Sequence, residues 1–180
     1  MPAILSDPGA TFGDVLTEIK TERLLLRPFT EADRQEMVAI ETDPRTNRFR
    51  VNPPDEPAAH RMFDAWLAHW TEHGYGYLAV RDHQDPALLG MSGVRLRDFQ
   101  GEKVLNLGYR FHPSAWGKGY AVEAASASVH WAERELAQAP VLISVNVINK
   151  PSLRVVERLG FTNYEEVTDE DGAVVRNFRR

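Results

Sequence analysis

The sequence predicts a mixed α/β domain around one central sheet, and three observations carry that prediction. Between residues 75 and 111 the β-like runs YGYLAV, ALLGMSGVRL and KVLNLGYRF follow one another across the turn-rich segments RDHQDP and RDFQGE, which reads as an antiparallel meander. Ahead of them AAHRMFDAWLAHWTEH sets Met62, Phe63, Trp66, Leu67 and Trp70 at helical spacing, an amphipathic helix. After them the β-branched run VLISVNVI (141–148) suits a strand inside a sheet and lies between two helical stretches.

Taken in order, residues 1–19 mix Pro, Gly and Asp with little periodicity and read as an N-terminal arm, leaving 20–180 as a single domain. RLLLRPF (23–29) is a first strand stopped by Pro28. Thr30, with Asp33 three residues later, caps a helix that buries Met37 and Ile40. NPPDEP (52–57) breaks the chain before the amphipathic helix, which Gly74 ends. After the meander a helix runs to about Gln138. Strand 141–148 leads to a short helix capped by Asn149 and stopped by Gly160, and FTNYEEVTD with AVVRNFRR forms a hairpin around Asp171-Gly172. The order is βααβββαβαββ, a mixed sheet of about seven strands with about four helices.

The composition removes several function classes. A formal net charge of −5 argues against a nucleic-acid scaffold that binds through bulk electrostatics. The absence of cysteine excludes disulfides, cysteine nucleophiles and thiolate metal sites. No apolar run approaches the ~18 residues of a membrane span. MPAILSDPGATFGD lacks the basic start and apolar core of a secretory signal, so a cytoplasmic protein is expected. His69 and His73 stand one helical turn apart, but no third ligand accompanies them. Two exposed histidines on a polar helix face, and no metal, are the expectation.

The stretch HPSAWGKGYAVEAASASVHWAERELA carries the chemistry. A helix start leaves backbone N–H groups unpaired and carries about half a positive charge, so an anion placed there is stabilised. Gly117 and Gly119 lack a Cβ and admit a phosphate close to the backbone, and Lys118 adds charge. A plain strand-to-helix connector is the alternative. Neither the P-loop nor the dinucleotide fingerprint fits, since Tyr120 takes the hydroxyl position of the one and Val122 the third glycine of the other. The small residues Ala121, Ala124, Ala125, Ser126, Ala127 and Ser128 let this helix lie close to its neighbours. Further on, Asn149 is an N-cap, Ser152 a helix-start hydroxyl and Arg154 a solvated charge when each is read alone.

Together these pieces resemble the GNAT superfamily of acetyl-CoA-dependent N-acetyltransferases, over roughly residues 20–170. TERLLLRPFTEAD is similar to the opening strand and helix of its RimJ/RimL-like branch, the ribosomal-protein N-terminal alanine acetyltransferases. LGYRFHPSAWGKGYAVEA is similar to the branch's cofactor motif and NKPSLRVVERLGF to its closing motif. The resemblance implies a splayed sheet with the pantetheine of acetyl-CoA between the strands ending near Phe111 and Ile148. It implies that backbone groups of Tyr109 and Phe111 pair with the pantetheine. The pyrophosphate then rests on the N–H groups of Gly117, Lys118, Gly119, Tyr120 and Ala121. Trp116, Asn149 and Ser152 also bind the coenzyme, and Arg154 reaches its distal phosphate.

Three positions depart from the family. Ser114 stands where many members have Gln or Arg, which this branch commonly lacks. Val156 replaces a Tyr that protonates the departing thiolate, and the branch suggests Ser152 as the substitute. Asn106 replaces a Glu that would take the proton of the amine; a water on Asn106 or Asn149, Glu123 or His112 are the alternatives. The function implied is transfer of the acetyl group to a primary amine, either a protein N-terminus or a small-molecule amine, by direct attack in a ternary complex. A non-catalytic acyl-CoA-binding module of the same fold is the alternative, and an unrelated sugar- or nucleotide-phosphate binder comes third. The acceptor would lie over the mouth formed by the first two helices and the 74–77 and 90–95 segments. Trp66, Trp70, Tyr75 and Tyr77 would line its mouth or belong to the core, and Glu41, Asp43, Asp55 and Glu56 would attract a cationic amine or be a solvated surface. A homodimer is left open.

Overall fold

The computed structural model describes residues 16–180. Its elements are β1 (Ile19–Lys20), β2 (Leu24–Pro28), a 3-10 turn (Glu31–Asp33) running into α1 (Arg34–Thr42), α2 (Glu56–His73), β3 (Tyr77–Asp82), β4 (Asp85–Phe99) and β5 (Glu102–Phe111). A second 3-10 turn (Pro113–Ala115) leads to α3 (Tyr120–Glu135), β6 (Val141–Asn146), α4 (Lys150–Arg158), β7 (Tyr164–Thr168) and β8 (Val174–Arg179). All eight strands join one sheet in the order β1-β2-β3-β4-β5-β6-β8-β7. The mixed α/β architecture is the one predicted, with a two-residue β1 added to the expected strands. Ile19 pairs with Leu26 and Leu16 is buried, so ordered structure begins ahead of residue 20. The rest of the expected arm, residues 1–15, lies outside the described residues.

Local chemistry explains the helix boundaries. The Asp33 carboxylate accepts from the Thr30 N–H at 2.8 Å, closing the capping box. The Asp55 side chain accepts from the Ala58 N–H, and Gly74 adopts φ 72° to end α2. Asn149 caps α4 by accepting from the Ser152 N–H at 3.1 Å. Asp33 is fully buried, and Arg27 and Arg81 bind its two oxygens at 2.8 and 2.7 Å. That cluster ties β2 and β3 to the start of α1.

The sheet is covered on both faces. On one, α3 packs on β4, β5 and β6 through Val94, Leu105, Leu107, Val129 and Val141. Ala124, Ala125 and Ala132 are fully buried, and the Ser92 and Ser128 hydroxyls meet at 3.3 Å, so the small residues bring α3 down onto the strands as expected. On the other face α1 and α2 bury Met37, Ile40, Phe63 and Trp66 against Tyr77 and Met91. His69 departs from expectation. It is buried, with Nδ1 2.8 Å from the Tyr75 carbonyl and Nε2 accepting from the Leu96 N–H at 3.1 Å. Those partners define the tautomer protonated at Nδ1. His69 is therefore a neutral staple between α2 and β4, with burial as the main cause that lowers its pKa.

One irregularity positions the site. β5 and β6 run parallel but pair only at Leu105–Val141 and Asn106–Leu142. Beyond those pairs β5 stays with β4 as far as Phe111, while β6 stays with β8. Each strand keeps its outer neighbour, and a gap opens between them.

Candidate active site

The edges of the gap carry free backbone groups. The Leu105 N–H donates to the Pro140 carbonyl on the β6 side, and the His112 N–H to the Leu89 carbonyl on the β4 side. Backbone groups alternate along a strand. The amides of Leu107, Tyr109 and Phe111 therefore face the gap. The Phe111 carbonyl also accepts from the Trp116 indole N–H at 2.9 Å. Trp116 thus closes the end of β5, and the Arg48 guanidinium stacks 5.1 Å from its ring.

The gap continues into a cavity of about 520 Å³. Its wall includes Trp116, Gly117, Gly119, Tyr120 and Ala121 from the turn into α3, and Asn149, Ser152, Arg154 and Arg158 from the start of α4. Arg45, Arg48 and Arg110 complete a wall that, among the described residues, holds five arginines and no carboxylate. Arg45 and Arg110 are paired with Asp43 and Glu41, so the net positive charge of the lining comes from Arg48, Arg154 and Arg158. Lys118 is exposed and does not line the cavity.

The start of α3 is shaped for an anion. Gly117 and Gly119 have φ of 75° and 80°, angles that a Cβ would strain. The first α-helical bond runs from the Glu123 N–H to the Gly119 carbonyl, so the amides ahead of it have no intrahelical partner. A polar network fixes this turn against β2 and β3. Arg23 meets Glu123 at 2.6 Å and donates to the Lys118 carbonyl at 2.8 Å, while the Tyr120 hydroxyl donates to Asp82 at 2.8 Å. Glu123 is therefore no base for the amine. Burial raises its pKa, but hydrogen bonds from Thr21 and Arg23 outweigh that and hold it below the usual carboxylate range.

A hydroxyl pair lies in the cavity wall. Tyr109 Oη and Ser152 Oγ are 2.6 Å apart, and the Tyr109 hydroxyl also lies 3.2 Å from the Ser152 carbonyl. Burial pushes the Tyr109 phenol up to about 12, against the opposing effect of its bond with Ser152. Sequence reasoning assigned Tyr109 through its backbone alone. The available signal was strand alternation, which sets its side chain on the face of Leu107 and Phe111, where a buried phenol needs a polar partner.

Asn106 lies elsewhere. Its side chain is on the α1–α2 face, where its amide donates to Tyr77 Oη at 2.9 Å, and it does not line the cavity with Asn149 and Ser152. Tyr77 lies across Gly108, where an added Cβ would sit 2.8 Å from the phenol ring. His112 bonds Ser114 through Nδ1 at 2.8 Å and accepts from the Ser114 N–H, a local cap. Trp66 and Tyr77 are core residues in edge-to-face contact, and the Trp70 indole donates to the Tyr77 carbonyl. The acidic mouth is largely internally paired. Glu41 is buried between Arg50 (2.8 Å) and Arg110 (3.2 Å), Asp43 holds Arg45 at 2.6 Å, and Asp55 caps α2.

A mixed sheet split beside a parallel pair, with a glycine turn and unpaired helix-start amides at the mouth of the split, defines an α/β domain with a cleft suited to an extended, anionic ligand. The family model of the acetyltransferase (GNAT) domain matches residues 23–162, and the chain belongs to that family. The uncharacterized protein YkkB of Bacillus subtilis (strain 168) is 29% identical over 152 residues, 80% of this chain and 84% of the relative. The acetyltransferase of Agrobacterium tumefaciens str. C58 superposes with a TM-score of 0.77 at 27% identity, covering 100% of this chain and 99% of that one. The spermidine N-acetyltransferase of Vibrio cholerae, solved in complex with CoA and spermine, shares the fold: TM-score 0.70, 16% identity, 89% of this chain and 96% of that one. Among the described residues no helix is long and apolar enough to cross a membrane.

Proposed function

We propose that the chain is an N-acetyltransferase that moves the acetyl group of acetyl-CoA to a primary amine in a ternary complex. The carrying observation is the gap between β5 and β6, edged by free amides and opening onto an arginine-lined cavity with an anion cradle at its rim. The residues present fit the coenzyme. The pyrophosphate matches the amides of Gly117, Lys118, Gly119, Tyr120 and Ala121. Arg154 and Arg158, both free of carboxylates among the described residues, match the distal phosphate. The amides of Tyr109 and Phe111 suit an extended amide chain laid in the gap as an added strand.

Acetyl-CoA brings an acyl group already activated as a thioester. The protein's share is positioning, worth most of the acceleration in such a transfer, together with a gap-facing N–H near Phe111 to polarise the thioester oxygen. Ser152 holds a proton for the departing thiolate, with the Tyr109 hydroxyl behind it. Asn106, fixed by Tyr77, orients the amine or the water that takes its proton. Within the family the RimJ/RimL-like branch remains our reading, supported by the three motifs in NKPSLRVVERLGF, the Gly-Lys-Gly turn and the opening strand. A protein N-terminus and a small-molecule amine are the acceptor classes.

The test is incubation with acetyl-CoA and a mixed pool of peptides with free N-termini and small amines, read by mass spectrometry against a no-enzyme control. Acetylated products that depend on Ser152 support the reading. Binding of acetyl-CoA without transfer to any acceptor favours the second reading, a non-catalytic acyl-CoA module, which the amide at Asn106 and the buried Val156 would suit.

A further inference from the structure

The arginines of the α1–α2 face divide into two groups. Arg27 and Arg81 share Asp33, Arg50 and Arg110 share Glu41, and Arg45 holds Asp43. Arg95 and Arg97 belong to the second group: like Arg48, which lies over Phe49 and Trp116, and Arg61 of α2, neither has a carboxylate within ion-pair distance among the described residues. They are two residues apart on β4, so they project to one face. Arg95 is half-buried, its Nε is buried without a hydrogen-bond partner, and its guanidinium lies 5.4 Å from the Tyr77 ring centroid. Stacking uses the flat face of a guanidinium and leaves its in-plane donors unspent.

Their position bears on the acceptor. The opposite face of β5 is filled by α3, where Leu107 and Val129 pack. An amine reaching the gap must therefore come over the α1–α2 face, past Asn106. Arg95 is the direct cross-strand partner of Asn106, so their Cβ atoms lie about 5 Å apart. The acids that would have drawn in a cationic amine, Glu41 and Asp43, are already neutralised by Arg50, Arg110 and Arg45. What an incoming amine meets beside Asn106 is the unmatched Arg95 guanidinium, with the exposed Arg97, over the Phe99 ring, further along the same face; a carboxylate is the group whose geometry satisfies a guanidinium.

We propose that the acceptor carries a carboxylate a few bonds from its amine, bound by Arg95 with Arg97 beside it, so that the chain acetylates an α-amino acid or the N-terminus of an acidic peptide and not a polyamine. The proposal rests on the acetyl-transfer reading above. Its two sources differ in where the carboxylate sits, on the amino acid's own α-carbon or on the side chain of an early peptide residue.

The experiment measures CoA release with a thiol reagent, which the cysteine-free chain does not consume. Acceptors are α-amino acids against their carboxamides, C-terminally amidated Ala-Asp peptides against Ala-Asn peptides, and spermidine. We expect one acidic acceptor to exceed its neutral isostere about 10- to 100-fold in kcat/KM, as hydrogen bonds to a charged group allow. Whichever series shows the preference identifies the source. Arg95→Ala should erase the preference by raising KM for the acidic acceptor alone, and Arg95→Lys should restore part of it. Equal use of acidic and neutral acceptors, a preference for spermidine, or an equal loss of both acceptors in Arg95→Ala overturns the proposal. Thermal shift of the CoA-saturated protein supplies a readout without turnover. Stabilisation by the acidic amine over its amide, lost in Arg95→Ala, upholds the carboxylate site even where no acetyl group moves, and its absence refutes the site even where transfer occurs. Failure to bind CoA at all refutes the acetyl-transfer reading instead.

Discussion

Replacing Tyr109 by Phe deletes one oxygen atom and keeps the ring that packs between α3 and the sheet. The deleted hydroxyl lies 2.6 Å from Ser152 Oγ, so the substitution tests whether the pair acts in proton transfer or only in structure. A neutral hydrogen bond of this kind contributes about 1 kcal/mol to stability. Because Ser152 borders the cavity and can turn toward water, a destabilisation near that figure is expected. The catalytic effect should be larger. General acid catalysis typically supplies ~10²–10⁴-fold, and with Ser152 still in place a loss of roughly 10- to 100-fold in kcat is expected for Tyr109→Phe. Ser152→Ala should cost at least as much, and the double variant little more than the worse single one, since members of one relay are not additive. CoA affinity, measured by calorimetry, should stay within about threefold throughout.

The same pair sets an alkaline signature. Burial holds the Tyr109 phenol protonated up to about 12, whereas an unfolded tyrosine ionises near 10. The stability this contributes is fully present below pH ~10 and disappears as pH rises through the folded value, a span of order 2–3 kcal/mol. Chemical denaturation between pH 9 and 11 should therefore show the wild type losing stability more steeply than Tyr109→Phe. A variant that keeps its kcat while losing only the expected ~1 kcal/mol would show the hydroxyl to be structural and refute the relay.

Three further outcomes are expected. Gly108→Ala sets a Cβ 2.8 Å from the Tyr77 phenol, so it should cost about 1–3 kcal/mol in denaturant melts and lower turnover more than CoA affinity. Arg154→Ala and Arg158→Ala should each weaken CoA binding about 3- to 30-fold, with the difference shrinking in 0.5 M salt; calorimetry at two ionic strengths reads both. Glu123→Gln breaks the contact with Arg23, whose side chain is 42% exposed, so its effect on stability at pH 7 should stay near 1 kcal/mol. Because the Glu123 pKa is lowered on folding, its contribution exists above the unfolded carboxylate range and is lost as pH falls through the folded value. Acid titrations should show a flatter limb in the variant, with turnover retained within about tenfold, unlike removal of a general base.

Much of this arrangement was legible because it is local. The cap residues Thr30 and Asn149, the stop at Gly74 and the small residues of α3 act within a turn or two of their own position, and the structure uses them so. The turn at Gly117 and Gly119 was legible for the same reason. Long-range side-chain pairing was not. Nothing near Tyr109 announces Ser152, and nothing near Glu123 announces Arg23, since each contact is made only once β5 or β2 meets a distant helix.

The acceptor mouth shows why that distinction matters for function. Glu41, Asp43 and Asp55 read along the chain as an acidic cluster suited to a cationic amine. In the fold their charge is consumed by Arg50, Arg110, Arg45 and the start of α2. Burying Glu41 under two guanidiniums even leaves that cluster with surplus positive charge, and burial accordingly lowers the Arg110 pKa to about 10 in spite of Glu41. The sign of a binding face is thus decided by the charges left over after pairing, not by those present in the chain. Here the remainder on β4 includes Arg95 and Arg97, and under the proposal above a carboxylate-bearing amine is the acceptor that remainder would select.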